Sequence, residues 1–600
     1  MQNTVGSGPS RPLIYTLRVG VLKDYLRKED RSCMVNDLFP MRTTRQKSYS
    51  TNIAAAGQSG PSHNGTSSGQ QPRISVNGVV DVGLWVYLII VPLRLQFGAH
   101  NFVGIDSPFH ARYASLFFSR IFTRTFPTTA YSVWNQRWGD KEFLFHAYLA
   151  PFCVNEYFLE VGAKIAAGLL FAGVLCTIAI ILKRQGVPGA LWWAALLPAL
   201  SEGWDFRMLM VRSHIASVLL IVWILFCFEQ RRLRPLAALT FVYTWTYTAP
   251  YFALMLCALM ALGRWFIIRV CITNEALQTS AADPRQLEPQ YDTGVRETSD
   301  RTLLLGCGAA TISGMLIHPQ APNQFLNDWM HLTLVATRAW GVAVSPVELG
   351  SEFQSETMRE AYHLHPGVLV CLALAWVLAA FIPGARSRRA LLFLWMTAPA
   401  FALYGLSGRF IEYLAPLSVW ALALVFRDVR GTMISIAASS ARGFRAFCAA
   451  GFIACILGLH VYTIRQIYRD VWHPEQALTQ EQAGRWLAAN AHPGDLVVPL
   501  DWTQFPSLYY YAPKQRYVMG LEPTTMEVLY PEKLQYLEQV RLGKRELDMN
   551  ELRRFFPDAR YVVVWAASGD AAARLLTHKR YTPVYADSED LIYDVGLSTK

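Results

Sequence analysis

Apolar residues in this chain fall in long unbroken blocks rather than in the alternating patterns of amphipathic helices or half-buried strands. Eleven runs have lengths suited to crossing about 30 Å of hydrocarbon: 77–94, 157–182, 188–201, 213–229, 235–249, 251–268, 302–318, 366–383, 388–405, 409–426 and 443–464. A further stretch, Phe143–Val154, is too short to span and reads as a re-entrant or interfacial piece. Lys183-Arg184, Arg231/Arg232/Arg234, Arg264/Arg269, Arg386/Arg388/Arg389 and Arg427/Arg430 fall on alternate sides of successive runs. All five groups can therefore face the cytosol together, which puts the N-terminus inside and segments 95–156, 201–212, 319–365 and 465–600 outside.

The flanks differ in character. Residues 1–75 are polar, with a Ser/Gly/Gln/Asn stretch at Thr51–Gln71, and lack the apolar surface needed to fold. They read as a disordered basic tail, either regulatory or the product of an over-extended start. Residues 76–465 form the membrane part. From about Pro474 to 600 the pattern becomes that of a small α/β domain. Helices are expected at Ala477–Ala491 and Lys533–Leu542, with strands at Leu496–Leu500, Arg516–Leu521, Tyr561–Trp565 and Leu591–Val595. The loop at 319–365 carries an amphipathic stretch around Phe325–Trp340.

Composition agrees. Apolar residues make up 52% of 600 positions and charged ones 16%, where a soluble protein carries about a quarter charged. Mean hydropathy is +0.21. A soluble multidomain enzyme, a disordered scaffold and a disulfide-rich secreted protein are excluded. The expected class is a polytopic α-helical membrane protein of about eleven helices with a small extracytoplasmic α/β domain. Of the net charge of +11, the tail supplies +6, from ten Lys/Arg against four acids; the rest suits membrane orientation rather than nucleic acid. The ten cysteines lie in the tail or in and beside apolar segments, without metal-binding spacing.

Polar groups at a membrane boundary are costly unless they have partners or work, and four clusters stand there. In Gly104-Ile105-Asp106-Ser107-Pro108-Phe109-His110, Pro108 suits a first helical turn and Asp106 or Ser107 its N-cap. Asp106 and His110 are then either a cap with a satisfied histidine, or a general base or metal ligand. Trp138-Gly139-Asp140-Lys141-Glu142 through His146 is either an interfacial belt or a site for an acceptor or lipid phosphate. Ser201-Glu202-Gly203-Trp204-Asp205-Phe206-Arg207, followed by Arg212 and His214, reads as a solvated turn or a divalent-ion or phosphate site. Arg409 and Glu412, three residues apart, either pair with each other or leave Arg409 to an anionic head group.

A first helix, a long aromatic loop opening with an aspartate, a short acidic second loop, a later long loop and a C-terminal soluble domain together resemble the GT-C glycosyltransferases, which use sugars carried on polyprenyl or dolichyl phosphate. Gly104-Ile105-Asp106-Ser107-Pro108-Phe109 is similar to the segment by which oligosaccharyltransferase catalytic subunits and protein O-mannosyltransferases present their first-loop aspartate. Glu202/Asp205 stand where that family has its second-loop acids, but spaced Glu-x-x-Asp rather than Asp-x-Asp. Arg409-Phe410 with Pro416 is similar to the arginine-bearing helix near the lipid phosphate. The C-terminal domain has Leu500-Asp501-Trp502-Thr503-Gln504 and no Trp-Trp-Asp-Tyr-Gly, so the resemblance does not extend to sequon reading.

The resemblance implies a transferase on the outer face of a bacterial plasma membrane. It would take a polyprenyl-phosphate-linked sugar donor, amid membrane lipid, to an acceptor not named by the sequence. Asp106, Asp140 and Glu142 are its catalytic candidates. Arg207, Arg212, Arg409 and Lys141 are candidates for the donor phosphate, and Glu202, Asp205 and His110 for a divalent cation (Mg or Mn). A transporter or flippase of a lipid-linked saccharide is the rival, weakened by the lack of an internal repeat.

Overall fold

The computed structural model describes residues 76–278, 298–330, 354–382, 386–439, 480–565 and 581–596, with scattered positions in 332–337 and 451–469. The tail at 1–75 and most of the expected 443–464 run lie outside them. The helical part comprises α1 (Val76–Gln96), α2 (Ser107–Ser115), α3 (Phe143–Leu149), α4 (Leu159–Arg184), α5 (Ala190–Leu196), α6 (Glu202–Leu209), α7 (His214–Glu229), α8 (Leu233–Thr246), α9 (Tyr251–Gln278) and α10 (Asp300–Leu316). It continues through α11 (Asn323–Met330), α12 (Met358–Leu364), α13 (Pro366–Phe381), α14 (Arg388–Leu406) and α15 (Ile411–Ser439). Among the described residues five helices are long and apolar enough to cross a membrane, and seven if each of two sharply bent pairs, α6/α7 and α12/α13, counts as one span. The expected runs at 188–201, 235–249 and 302–318 do form helices, of 7, 14 and 17 residues, and are not among the five.

α4 shows why these segments are helical. From Ile165 to Leu182 it carries no charged residue, Glu160 stands in its first turn, and Lys183 and Arg184 close its last, which matches the helix dipole at both ends. At about 1.5 Å per residue, its 26 residues reach from one face of a bilayer to the other. α6 and α7 meet at 109°, so the short α6 is buried among the spans: Trp204 and Asp205 are fully enclosed. The solvated turn expected at 201–207 is instead an inward helix capped by Ser201, whose Oγ accepts from the Trp204 amide at 2.9 Å.

The C-terminal part holds α16 (Glu481–Asn490), α17 (Phe505–Tyr511), α18 (Pro531–Arg541) and α19 (Met549–Phe555) around a five-stranded sheet. Its strands are β1 (Leu496–Pro499), β2 (Arg516–Tyr517), β3 (Ala559–Trp565), β4 (Tyr585–Ala586) and β5 (Asp590–Asp594), in the order β2-β1-β3-β5-β4. β1 runs parallel to β2 and β3, while β5 is antiparallel to β3 and β4. Val562, Val563 and Val564 on β3 have no exposure, as the unbroken valine run predicts.

The first loop completes this sheet. Ala130 and Tyr131 donate their amides to Tyr517 and Val518 carbonyls at 2.7 and 3.0 Å, and the Tyr517 amide returns to Thr128 O at 2.7 Å. Phe109, Tyr113, Phe126, Trp134 and Trp138 share one apolar cluster with Val497, Phe505, Tyr509, Tyr517 and Val563. Residues 95–156 are thus a packed layer between helices and sheet rather than a free loop. That layer fixes the acidic motifs in space.

Candidate active site in the first loop

Gly104 makes the turn into α2 at φ +79° with Met210 packed against it, a conformation open to glycine. Ser107 Oγ accepts the Val211 amide at 2.9 Å. The break between α6 and α7 is thereby held against the start of α2, and it delivers two side chains. Arg212 Nη2 lies 2.9 Å from Asp106 Oδ2, and Ser213 Oγ donates to Glu142 Oε1 at 2.7 Å. Asp106 occupies the N-cap position, but its side chain makes no capping bond; the cap expected from the sequence is replaced by the ion pair.

α2 and α3 bring four more groups together. His110 Nδ1 lies 2.9 Å from His146 Nε2 and 3.4 Å from Glu142 Oε2. His146 Nδ1 faces both oxygens of Asp140, at 2.9 and 2.8 Å, and Asp140 Oδ1 accepts the Glu142 amide at 2.9 Å. All four are buried. Burial, with the charges of His146 and Arg212, pushes the His110 imidazole well below its usual range, which keeps it neutral and able to accept or ligate.

α11 closes the site from the later loop. Gln320 Oε1 accepts the Asp140 amide at 2.5 Å, while Asn323 and Asn327 donate to the carbonyls of Trp138 and Gly139 at 3.0 and 2.9 Å. Gly139 is required there, since a Cβ would collide with the Gln324 backbone. Lys141 forms an ion pair with Glu522 of the C-terminal part. Burial pushes the Asp328 carboxyl well above the usual range, against the pull of Lys141.

The remaining sequence candidates make other contacts. Arg207 donates to Glu412 Oε1 at 2.7 Å through Nε, so its guanidinium is engaged by a buried carboxylate. Arg409 donates to Tyr247 OH at 3.1 Å. Both oxygens of Asp205 are buried without a partner among the described residues. Glu202 and Asp205 belong to no described group of three metal donors. The set that forms one is His110, Glu142 and His146, whose ligating atoms lie within 4.8 Å of one another. The sequence reading placed His146 at the end of its second cluster but gave it no role of its own. Its signal was its position four residues after Glu142, one helical turn on.

This set fits a divalent cation. Two imidazole nitrogens and a carboxylate oxygen are the donors that zinc-like and manganese-like ions accept. The Asp140 carboxylate on His146 Nδ1 fixes the tautomer that leaves Nε2 for a metal. Donors on a tetrahedral ion stand about 3.3 Å apart at ordinary bond lengths, so the 3.4 Å edge fits as it is and the 2.9 Å edge has to open by a few tenths.

No family model matches the chain, and no curated protein matches it by sequence. Solved structures do. The archaeal oligosaccharyltransferase AglB from Archaeoglobus fulgidus, in complex with an inhibitory peptide and a dolichol-phosphate, superposes with a TM-score of 0.56 at 12% identity, over 84% of this chain and 73% of that one. ArnT from Cupriavidus metallidurans bound to undecaprenyl phosphate gives 0.52 at 13% identity, over 87% and 98%. Both are GT-C glycosyltransferases, and the fold of this chain is the GT-C fold. The chain is a multi-pass membrane protein with that architecture.

Proposed function

We propose that this protein is a GT-C glycosyltransferase that moves a sugar from a polyprenyl-phosphate-linked donor to an acceptor at the outer face of the plasma membrane, its N-terminus cytosolic. The observation that carries the reading is the meeting of Asp106 and Arg212 beside the Asp140–His146–His110–Glu142 array, in a fold shared with two proteins solved bound to polyprenyl phosphates.

In the reaction the acceptor oxygen bonds to the anomeric carbon as the bond from that carbon to the lipid phosphate breaks. The acceptor proton passes to Asp106, and the polyprenyl phosphate leaves with the electron pair. Arg212 orients the Asp106 carboxylate and brings positive charge for the donor phosphate. Lys141 and Arg409 are the further phosphate contacts. Asp140 orients His146, and Ser213 orients Glu142. A divalent cation held by His110, Glu142 and His146 would supply charge stabilisation to the departing phosphate. The burial of Asp140, Glu142, His110 and His146 keeps bulk water away from that array.

The test offers purified protein isotope-labelled polyprenyl-phosphate sugars, wild type beside Asp106→Asn. Release or transfer of sugar that falls by about 10²–10⁴-fold in the variant, at an unchanged melting temperature, is the expected result. Lipid binding without release from any donor would favour a transporter instead.

A further inference from the structure

A groove of about 360 Å³ lies at the opposite end of the helical layer from the candidate site, between the end of α4, the end of α7 and the start of α8. Its position follows from the helix directions. α4 begins beside the first loop, where Lys164 Nζ donates to Ala99 O at 3.1 Å, and ends at Arg184. α7 begins at His214, next to Arg212 and Ser213, and ends at Glu229. The walls are apolar, with Trp223, Phe226 and Leu239 prominent, and two arginines, Arg184 and Arg232, complete the lining. Both arginines are exposed.

The neighbouring carboxylates are already matched. Glu229 takes Arg389 at 2.6 Å, and Asp300 takes Arg264. Among the described residues no carboxylate pairs with Arg184 or Arg232. Arg184 instead lies over the Trp223 ring, 5.6 Å from its centroid, and the indole Nε1 is committed to Thr177 Oγ1 at 3.1 Å. An apolar slot with two unmatched guanidinium groups at a membrane face is complementary to one kind of molecule: an acyl chain joined to a phosphate.

We propose that this groove binds an anionic phospholipid of the leaflet opposite the candidate site, its phosphate held by Arg184 and Arg232 and its upper acyl chain against Trp223, Phe226 and Leu239. A free phosphate would leave the apolar walls bare. A zwitterionic lipid would bring an ammonium group toward two cations.

The full-length protein, delipidated in detergent, is titrated with phosphatidylglycerol, phosphatidylcholine or glycerol 3-phosphate, and bound lipid is read by native mass spectrometry. Phosphatidylglycerol should bind, phosphatidylcholine at least tenfold more weakly, and glycerol 3-phosphate not compete. Arg184→Gln with Arg232→Gln should weaken phosphatidylglycerol by roughly 30-fold, the equivalent of about 1 kcal/mol per arginine near a surface. If that pair fails to fold, Leu239→Trp, which fills the slot and keeps both charges, should lose the lipid alone. Equal binding of the two lipids, or retention by both variants, would overturn the assignment. Displacement by glycerol 3-phosphate would overturn it in favour of a soluble phosphate.

Discussion

His110 and His146, 36 residues apart in sequence, face each other through Nδ1 and Nε2 at 2.9 Å. Between two such nitrogens there is room for one proton, and burial keeps His110 neutral. The same pair with Glu142 presents three inward donors. Purified protein is therefore expected to retain a divalent cation through dialysis. His146→Ala should remove it, and Asp140→Asn should weaken it by about 10–100-fold by freeing the imidazole to turn. Elemental analysis and competition with a chromophoric chelator measure both. Equal metal content in wild type and His146→Ala would show that the array is a hydrogen-bond network and no more.

The two arginines that flank the bend between α6 and α7 differ in kind. Arg212 pairs with the partly exposed Asp106, whereas Arg207 neutralises Glu412, which has no exposure. Arg212→Gln should lower kcat/KM by about 10²-fold and leave the melting temperature nearly unchanged. Arg207→Gln leaves a buried carboxylate uncompensated and should destabilise by about 3–5 kcal/mol. Thermal unfolding in detergent beside a donor-hydrolysis assay separates them. A stable but inactive Arg207→Gln would place Arg207 at the donor instead.

Length and apolarity alone gave the membrane class, the long spans and most of the C-terminal elements, because burial in hydrocarbon or in a parallel sheet leaves continuous apolar runs. β3 and α18 fall within two residues of their expected positions. α17, by contrast, was not foreseen. Its Phe505-Pro506-Ser507-Leu508-Tyr509-Tyr510-Tyr511 has no polar face, since Phe505 and Tyr509 pack into the first loop. The site was legible as residue types and not as a constellation. Asp106, Asp140, Glu142 and His110 stand out as polar groups beside apolar runs, but Asp106 and Glu142 are tied to one another through Arg212 and Ser213 at the bend at Met210–Ser213. That bend has neither glycine nor proline to announce it. The pairing of Lys141 with Glu522 spans 381 residues, beyond the reach of any local pattern.

Gly139 tests whether α11 holds the acidic motif in place. A methyl group there would meet the backbone of Asn323 and Gln324, which cannot rotate aside as a side-chain end would. Gly139→Ala should force α11 away, break the Asp140 N–H bond to Gln320, and cost about 1–3 kcal/mol along with most of the activity. Hydrogen exchange at Asn323–Met330 should rise in the variant. Gly405→Ala, at a position with nothing near its Cβ direction, is the control and should be silent. If both substitutions behave alike, α11 does not bear on the site.

Asp590 gives the α/β part a pH dependence of known sign. It has no exposure. Its Oδ1 accepts from Gln504 Nε2 at 3.0 Å, and its Oδ2 has no partner among the described residues. Burial first, then the charges of Asp587 and Glu589, push its carboxyl up to about 7, against about 3.9 in an unfolded chain. Between those values the folded protein holds a proton that the unfolded chain has released, so stability falls as pH rises. The contribution is whole below about pH 4 and gone above about pH 7. Asp590→Asn keeps an oxygen for Gln504 and removes the titration. Other groups titrate in both proteins, so the informative quantity is the difference between two melting curves taken from pH 5 to 8.5. The variant should gain on wild type by a few degrees across that range, with most of the gain complete by pH 7.5. A difference that stays flat would mean that Asp590 is ionised throughout, and that its unpartnered oxygen is satisfied by water.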